Sequence, residues 1–345
     1  MRRLGLTLAL LLSVGCADAF LGPSAAKDNG ALFDELWREF DLHYSYFGVK
    51  HVNWDSLGAH YRPLAVSAQT ETQFASVLNR LLGELHDVHV ALSTGAERES
   101  MRQLARADTA STYFVQSVVF NRYVPSSRLT SANHLRYGMA TPTVGYILIA
   151  SFVGDDWSSE MDEALDGLPG AQSLVIDVRN NAGGTYRLAA TLAGRFADRA
   201  RTFGYIRRRN GPSHDDFTDF TAEIVAPMGA RQFRGPVVVL SNRRNASTSE
   251  NFILAMKALP SVTVVGDTTA GASGAPIVRE LSNGWTYQLS EWVEYTPERE
   301  VYEDIGLPPH IVVRAKAADM AKNIDAVLDR AISLAQTAQF RLGTP

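Results

Sequence analysis

Hydrophobic and polar positions divide the chain into a helical part followed by alternating strands and helices. From Leu32 apolar side chains recur at helical spacing, and a second helix is predicted at 71–85. Short apolar runs typical of buried strands follow at 145–152, 173–178, 237–240 and 262–265, and amphipathic helices are predicted at 157–168, 185–198 and 247–259. This alternation predicts an α/β core with helix-covered sheets, preceded by a small N-terminal helical domain.

The remaining segments complete the predicted division of the chain into structural units. A charged helical piece is predicted at 96–107, a β-like run at 113–119, strand-like sequence at 287–313 and a closing helix at 317–337. The predicted units are a signal peptide (1–19), a tether (20–30), an N-terminal helical domain (31–92), a connecting segment (93–143) and an α/β core with its C-terminal helix (144–338).

The first 19 residues have the pattern of a targeting signal. Arg2 and Arg3 precede an apolar run at 4–14 that is too short to span a bilayer. Two processing routes fit the small residues that follow: cleavage after Ala19, or lipid modification of Cys16 as in bacterial lipoproteins. Both predict an exported protein, located in the periplasm, on the outer membrane as a lipoprotein, or secreted. Cys16 is the only cysteine of the chain, so the mature fold is predicted to have no disulfide.

Charge narrows the range of partners. The chain has 33 Lys and Arg residues against 37 Asp and Glu residues, which gives a formal net charge of −4 at pH 7. This charge gives no reason to expect nucleic acid or an anionic membrane surface as a binding partner. The arginines at 207–209 form a short basic cluster in a loop-like segment and are interpreted as a solvated face. Contact with a membrane is expected only through a lipid anchor at Cys16, and the oligomeric state is left open.

Ser247 lies where the predicted strand 237–240 passes through a polar turn into a helix. Its structural interpretation is a capping box with Glu250, three residues later. Its functional interpretation is a reactive hydroxyl, because free backbone N–H groups and the positive end of a helix dipole lie beside a serine at the start of a helix. Glycine turns at 180–184 and 271–274 lack the spacing of nucleotide-binding loops. They suit an oxyanion site, and a serine with a histidine base and an acid would complete an acyl-transfer centre.

Two histidines, His86 and His89, stand three positions apart near the end of the helical part. Such a pair could contribute to a zinc site, but no third ligand is evident and the HExxH pattern is absent. The sequence therefore predicts no metal and no other cofactor.

Several ordered motifs together resemble the tail-specific, or C-terminal-processing, serine peptidases. They are the segments 176–184, 239–250, 264–271 and 301–309. The pattern at 36–63 resembles the helical domain of the branch that includes the tricorn protease and interphotoreceptor retinoid-binding protein. The resemblance implies a crotonase-like β-β-α core and a peptide or protein substrate. The segment between His89 and Gly145 is too short and too poorly patterned for the complete PDZ domain that many relatives carry.

Carried over residue by residue, the resemblance implies that Ser247 is the nucleophile. One branch of the family places a general-base lysine after its T-x-G turn, but Ala272 stands at that position here. The oxyanion hole would use the backbone N–H of Thr248 and that of Gly183 or Gly184.

The tricorn-like branch takes its base from a histidine at the end of the helical domain, which matches His89, and its acid matches Glu303. That branch has a serine just before the histidine, where this chain has Val88. Four alternatives remain open: Glu303 contacts His89 directly, Asp87 takes the place of the missing serine, a water does, or catalysis is weak.

The sequence thus predicts an exported serine-type peptidase in which Ser247, His89 and Glu303 carry the chemistry. The alternative is a catalytically silent protein on the same scaffold, binding an apolar ligand or peptide in the cleft between the helical domain and the core.

Overall fold

A computed structural model describes residues 28–94 and 113–342 of the chain. The predicted signal peptide with Cys16, nearly all of the tether and the helix predicted at 96–107 lie outside the described residues. In chain order the helices are Asn29–His43 (α1), Trp54–Val66 (α2), Glu71–Gly83 (α3), Gln116–Val118 (α4), Ser159–Asp166 (α5), Leu188–Ala193 (α6), Thr248–Lys257 (α7), Ala317–Met320 (α8) and Ala326–Leu342 (α9).

The strands are short and fall into three sheets. Their bounds are Ala91–Ser93 (β1), Arg128–Leu129 (β2), Leu135–Met139 (β3), Val144–Ile149 (β4), Ser173–Asp177 (β5), Arg201–Arg208 (β6), Thr221–Val225 (β7), Val237–Ser241 (β8), Val262–Gly266 (β9), Pro276–Glu280 (β10), Thr286–Ser290 (β11), Trp292–Tyr295 (β12) and Ile311–Val312 (β13). The main sheet has the order β13-β9-β8-β5-β4-β3-β2, and the smaller sheets have the orders β1-β11-β10 and β12-β6-β7.

The main sheet brings two loops of the predicted site side by side. Strands β4, β5, β8, β9 and β13 run parallel, and β5 pairs with β8 so that Asp177 lies opposite Leu240. Both strands end at the same edge, where the glycine turn after β5 and the polar turn after β8 become neighbours. One face of the sheet packs on α5, α6 and α7, and the other packs on α9. The predicted α/β core with helix-covered sheets is confirmed.

The helical part begins with three capped helices. The side chains of Asp28, Asn53 and Thr70 accept hydrogen bonds from the first turns of α1, α2 and α3. The apolar faces of these helices share one core with Trp285 and Tyr287 of the second half of the chain. The helical part is therefore anchored on the β1-β11-β10 sheet, and the loop after α3 is held against residues far away in the sequence.

Three local predictions were wrong. The run at 113–119 forms α4 and a π-helical turn at Val119–Tyr123, because Val119 and Phe120 pack on the main sheet from a helical turn. The closing helix is interrupted between α8 and α9. The arginines at 207–209 do not lie in a loop, since β6 includes the first two, and the Arg208 guanidinium lies over the Trp292 ring.

Within the described residues, no helix combines the length and the apolar character needed to cross a bilayer.

Candidate active site

Ser247 occupies the N-cap of α7 in a strained backbone conformation. Its φ is 54° and its ψ is −130°. Residues other than glycine rarely adopt this backbone conformation, which costs about 1–3 kcal/mol. Half of the predicted capping box is a recorded hydrogen bond: the Ser247 N–H donates to Glu250 Oε2 at 3.2 Å, whereas the Ser247 hydroxyl makes no side-chain capping bond. The Glu250 N–H donates to the Ser247 carbonyl at 2.7 Å. That N–H therefore has an acceptor other than the hydroxyl, which leaves the hydroxyl available for chemistry.

The glycine turn after β5 packs directly on this N-cap. Gly183 and Gly184 have φ values of 99° and 145°, and a Cβ added to Gly183 would lie 2.9 Å from the backbone nitrogen of Thr248. The Thr248 hydroxyl donates to the Gly184 carbonyl at 2.8 Å. The Gly183 N–H donates to Asn181 Oδ1 at 2.8 Å. No hydrogen bond recorded between described residues uses the N–H of Gly184 or Thr248, so these two donors fit an oxyanion best.

Glu250 holds the loop on the other side of Ser247. Its buried carboxylate accepts from the Thr269 hydroxyl at 2.5 Å and from the N–H groups of Gly271 and Ala272, each at 2.9 Å. Burial raises the pKa of Glu250 to about 7, although these donors oppose the rise. The Ser247 N–H also donates to the Ala272 carbonyl at 2.8 Å. Ala272, the position of the absent lysine, is thus part of the scaffold around the serine.

His89 lies in the loop between α3 and β1 and is 8% exposed. Its backbone N–H donates to Asp87 Oδ1 at 2.7 Å. Its ring Nδ1 is buried without a hydrogen-bond partner and lies 3.8 Å from the same oxygen. A movement of about 1 Å would bring this pair within hydrogen-bond distance. The hydroxyls of Tyr44 and Ser290 donate to Asp87 Oδ2, each at 3.0 Å, so the carboxylate is fixed beside the imidazole.

Glu303 is 3% exposed and is held through both carboxylate oxygens. Lys50 Nζ lies 2.9 Å from Oε1. The backbone N–H and the hydroxyl of Ser273 donate to Oε2 at 2.7 and 2.9 Å. Burial, and after it the Asp87 carboxylate, raise the pKa of Glu303 to about 8 against the opposing effect of Lys50.

The segment after Gly271 connects the two halves of the site. Ala272 bonds to Ser247, and Ser273 bonds to Glu303. A Cβ added to Gly274 would lie 3.2 Å from the Cβ of Ser290, whose hydroxyl bonds to Asp87. This loop thus connects to Ser247, to Glu303 and to the side of Asp87, and Lys50 joins the two acids from the other side, since its ammonium bonds to Glu303 and to the carbonyl of His86, the residue before Asp87. Among the described residues, no recorded hydrogen bond joins His89 to Ser247 or to Glu303.

Sequence reasoning did not include Lys50, Ser273 or Tyr46 in the site. The Tyr46 and Ser273 hydroxyls lie 2.9 Å apart, so Tyr46 reaches Glu303 through Ser273. The only available signal was that Tyr46 and Lys50 stand four positions apart beside the aromatic cluster of the helical domain, which is a weak indication of function.

Comparison with known proteins identifies the family of this chain. The profile of peptidase family S41 matches residues 143–313, and that of the tricorn protease C1 domain matches residues 26–83. The chain belongs to peptidase family S41. Its match to the carboxy-terminal processing protease CtpA of Bacillus subtilis is 28% identical over 186 residues, covering 53% of this S41 chain and 37% of that protein. The chain thus spans well under half the length of this relative. The resemblance to C-terminal-processing peptidases is confirmed, and the retinoid-binding-protein branch stays a prediction.

Solved structures extend the likeness of this S41 chain over nearly its whole length. A Parabacteroides merdae protein described as a candidate peptidase is 27% identical, with a TM-score of 0.78, covering 91% of this chain and 97% of that one. Mature CPAF is 12% identical, with a TM-score of 0.71, covering 93% of this chain and 99% of that one. The second likeness shows the fold alone, and it includes both the helical part and the α/β core.

Proposed function

We propose that this S41 chain is an exported serine-type peptidase that hydrolyses peptide bonds through Ser247. The observation that carries the proposal is the strained N-cap at Ser247, next to the N–H groups of Gly184 and Thr248. A strained turn between strand and helix exposes a nucleophile beside oxyanion donors. Family membership supports the same chemistry. Export rests on the sequence of residues 1–19.

In the proposed reaction, Ser247 Oγ attacks the peptide carbonyl while His89 takes its proton. His89 then protonates the leaving amine, and water hydrolyses the acyl-enzyme by the reverse sequence of proton transfers. The Thr248 N–H and a glycine N–H, that of Gly184 rather than Gly183, hold the oxyanion. Each such donor contributes about 10²–10³ in rate.

Glu303 supports the imidazolium through the buried acid pair that it forms with Asp87. Asp87 is the member next to His89 Nδ1, at 3.8 Å, and so it supplies the orienting contact for which the tricorn-like pattern uses a serine. The carboxylate next to the ring, held by the hydroxyls of Tyr44 and Ser290, stabilises the positive charge that His89 gains in the transition state.

A fluorophosphonate probe tests the proposal, because it reacts with a serine that is activated by a base. We expect stoichiometric labelling that mass spectrometry maps to Ser247, no labelling of Ser247→Ala, and labelling of His89→Ala that is slower by about 10²-fold or more. An unlabelled wild type whose cleft binds retinoid or fatty acid tightly would refute the peptidase and establish the silent binding protein.

A further inference from the structure

Lys50 is a buried cation at the contact between the helical part and the α/β core. Its side chain is 3% exposed. Its Nζ lies 2.9 Å from Glu303 Oε1, 3.0 and 2.9 Å from the two oxygens of Asp304, and 3.2 Å from the His86 carbonyl. A lysine ammonium has three protons, and here three residues accept them.

The bond to the His86 carbonyl connects Lys50 to the loop of the proposed base. His86 has a φ of 49°, so the chain turns sharply three residues before His89. The following residue, Asp87, bonds to the backbone N–H of His89. Fixing the His86 carbonyl therefore fixes the start of the short segment that positions the imidazole.

The turn that carries Lys50 also reaches the other oxygen of Glu303. Tyr46, four residues earlier, bonds to the Ser273 hydroxyl, which donates to Glu303 Oε2. One turn of the helical part thus holds Glu303 from both sides, directly through Lys50 and indirectly through Tyr46. Ser273 follows Ala272, whose carbonyl accepts from Ser247, so the same contacts extend to the loop beside the nucleophile.

Charge gives Lys50 a second role. The titratable groups around Glu303 are Lys50, Asp87 and the hydroxyls of Tyr44 and Tyr46. Burial is the main reason why the pKa of both tyrosines is raised well above the usual value. Both tyrosines are therefore neutral. Among the described residues, Lys50 is the cation that bonds to Glu303. Without it, two buried carboxylates would repel each other with no compensating charge.

We propose that Lys50 is a positioning residue of the Ser247–His89 site, joining the loop that carries His89 to the turn that carries Glu303 and neutralising the Asp87–Glu303 pair. This inference rests on the proposed function. Lys50 acts through these neighbours and not as a base. Burial lowers its pKa, but Glu303 and Asp87 outweigh burial and raise the pKa above the usual value, so the amine stays protonated.

The test measures the second-order rate of fluorophosphonate labelling at Ser247 from pH 6 to pH 10. For Lys50→Met we expect labelling that is slower by about 10–100-fold near pH 7, the range that a misplacement of about 1 Å produces. We also expect the rise of the rate with pH to move to higher pH, since Glu303 loses the cation that favours its ionised form. Lys50→Arg should return the rise toward its wild-type position.

Arg62→Met is the matched control, because Arg62 also pairs with a carboxylate, that of Asp34, but at an exposed position. It should leave the rate and the profile unchanged. A wild-type profile in Lys50→Met, or an equal shift in Arg62→Met, would overturn the inference. If wild-type Ser247 is not labelled at all, it is the proposed function that fails.

The double variant Lys50→Met/Glu303→Gln tests the role of Lys50 as counter-ion even if Lys50→Met alone is unfolded. Removing one partner of a buried pair leaves an uncompensated charge, whereas removing both does not. The double variant should therefore melt at a higher temperature than Lys50→Met and show no rise of labelling due to Glu303. A double variant that melts as low as Lys50→Met would overturn the role of Lys50 as the counter-ion.

Discussion

Replacing Ser247 by alanine and by glycine separates the two roles of this residue. The alanine variant loses the nucleophile, and cleavage or phosphonate labelling should fall by about 10⁴–10⁶-fold. Its stability should change little. Loss of a capping hydroxyl costs about 0.5–2 kcal/mol, and we expect the lower end, because the Glu250 N–H already donates to the Ser247 carbonyl at 2.7 Å.

The glycine variant tests the strained backbone. At a φ of 54° and a ψ of −130°, alanine keeps a strain of about 1–3 kcal/mol that glycine relieves. Glycine loses about 0.5–1 kcal/mol through the greater freedom of the unfolded chain. Ser247→Gly should therefore be more stable than Ser247→Ala by up to about 2.5 kcal/mol, while both are inactive.

Chemical denaturation, with melting temperature as a second measure, gives the comparison. A difference of 1 kcal/mol corresponds to a shift of about 2–4 °C in a domain of 150–250 residues. Wild-type cleavage by Ser247→Ala would refute the assignment of the nucleophile. A loss above 2 kcal/mol in that variant would show that the hydroxyl is chiefly a cap. A glycine variant less stable than the alanine variant would refute the strained turn.

Two further predictions concern the oxyanion turn and the buried acid. Gly184→Ala should slow labelling of Ser247 by about 10²-fold or more, because the added Cβ would lie 2.2 Å from the carbonyl carbon of Phe152. Gly83→Ala is the control: a Cβ added there has no atom within 4 Å, so this variant should be labelled at the wild-type rate. Burial raises the pKa of Glu303 in the folded state from 4.5 to about 8. The contribution of the protonated Glu303 to the free energy of unfolding is therefore fully present below pH 4.5 and is lost as the pH rises through 8. Denaturation between pH 5 and pH 8 should show this loss, up to about 1.4 kcal/mol per pH unit, and a slope that Glu303→Gln leaves unchanged would contradict it.

The surroundings of Ser247 could be predicted because they are local in sequence. A β-branched run, a polar turn and a helical repeat follow one another between 237 and 259, and each leaves its own pattern. The parallel order of β5 and β8 then brings the glycine turn to the serine. Strand and helix periodicity therefore sufficed for the half of the site that contains the nucleophile.

The acid cluster could not be predicted from such patterns, because its members come from distant segments. Tyr46 and Ser273, which bond to each other, are 227 positions apart. Nothing near Lys50 in the sequence indicates that its ammonium will be buried against Glu303. Similarly, Arg208 belongs to a strand because Trp292 and Glu291 of the neighbouring strand segment pair with it, and tertiary contacts of this kind override local propensity.

Ala272 and Lys50 favour histidine chemistry over the lysine-dependent alternative. A lysine base must lose its proton near the serine, which requires a lowered pKa. Ala272 contributes no base at the position where that branch has its lysine, and its N–H is bonded to Glu250. Lys50 is held to the carboxylates of Glu303 and Asp304 with its pKa raised, the opposite of what a base needs. His89, with a buried Nδ1 that has no partner and faces Asp87, can be oriented and charged by the same acids that keep Lys50 protonated. In the proposed reaction, Glu303 thus holds Lys50 in place, and Asp87 stabilises the charge that His89 gains when it takes the proton of Ser247.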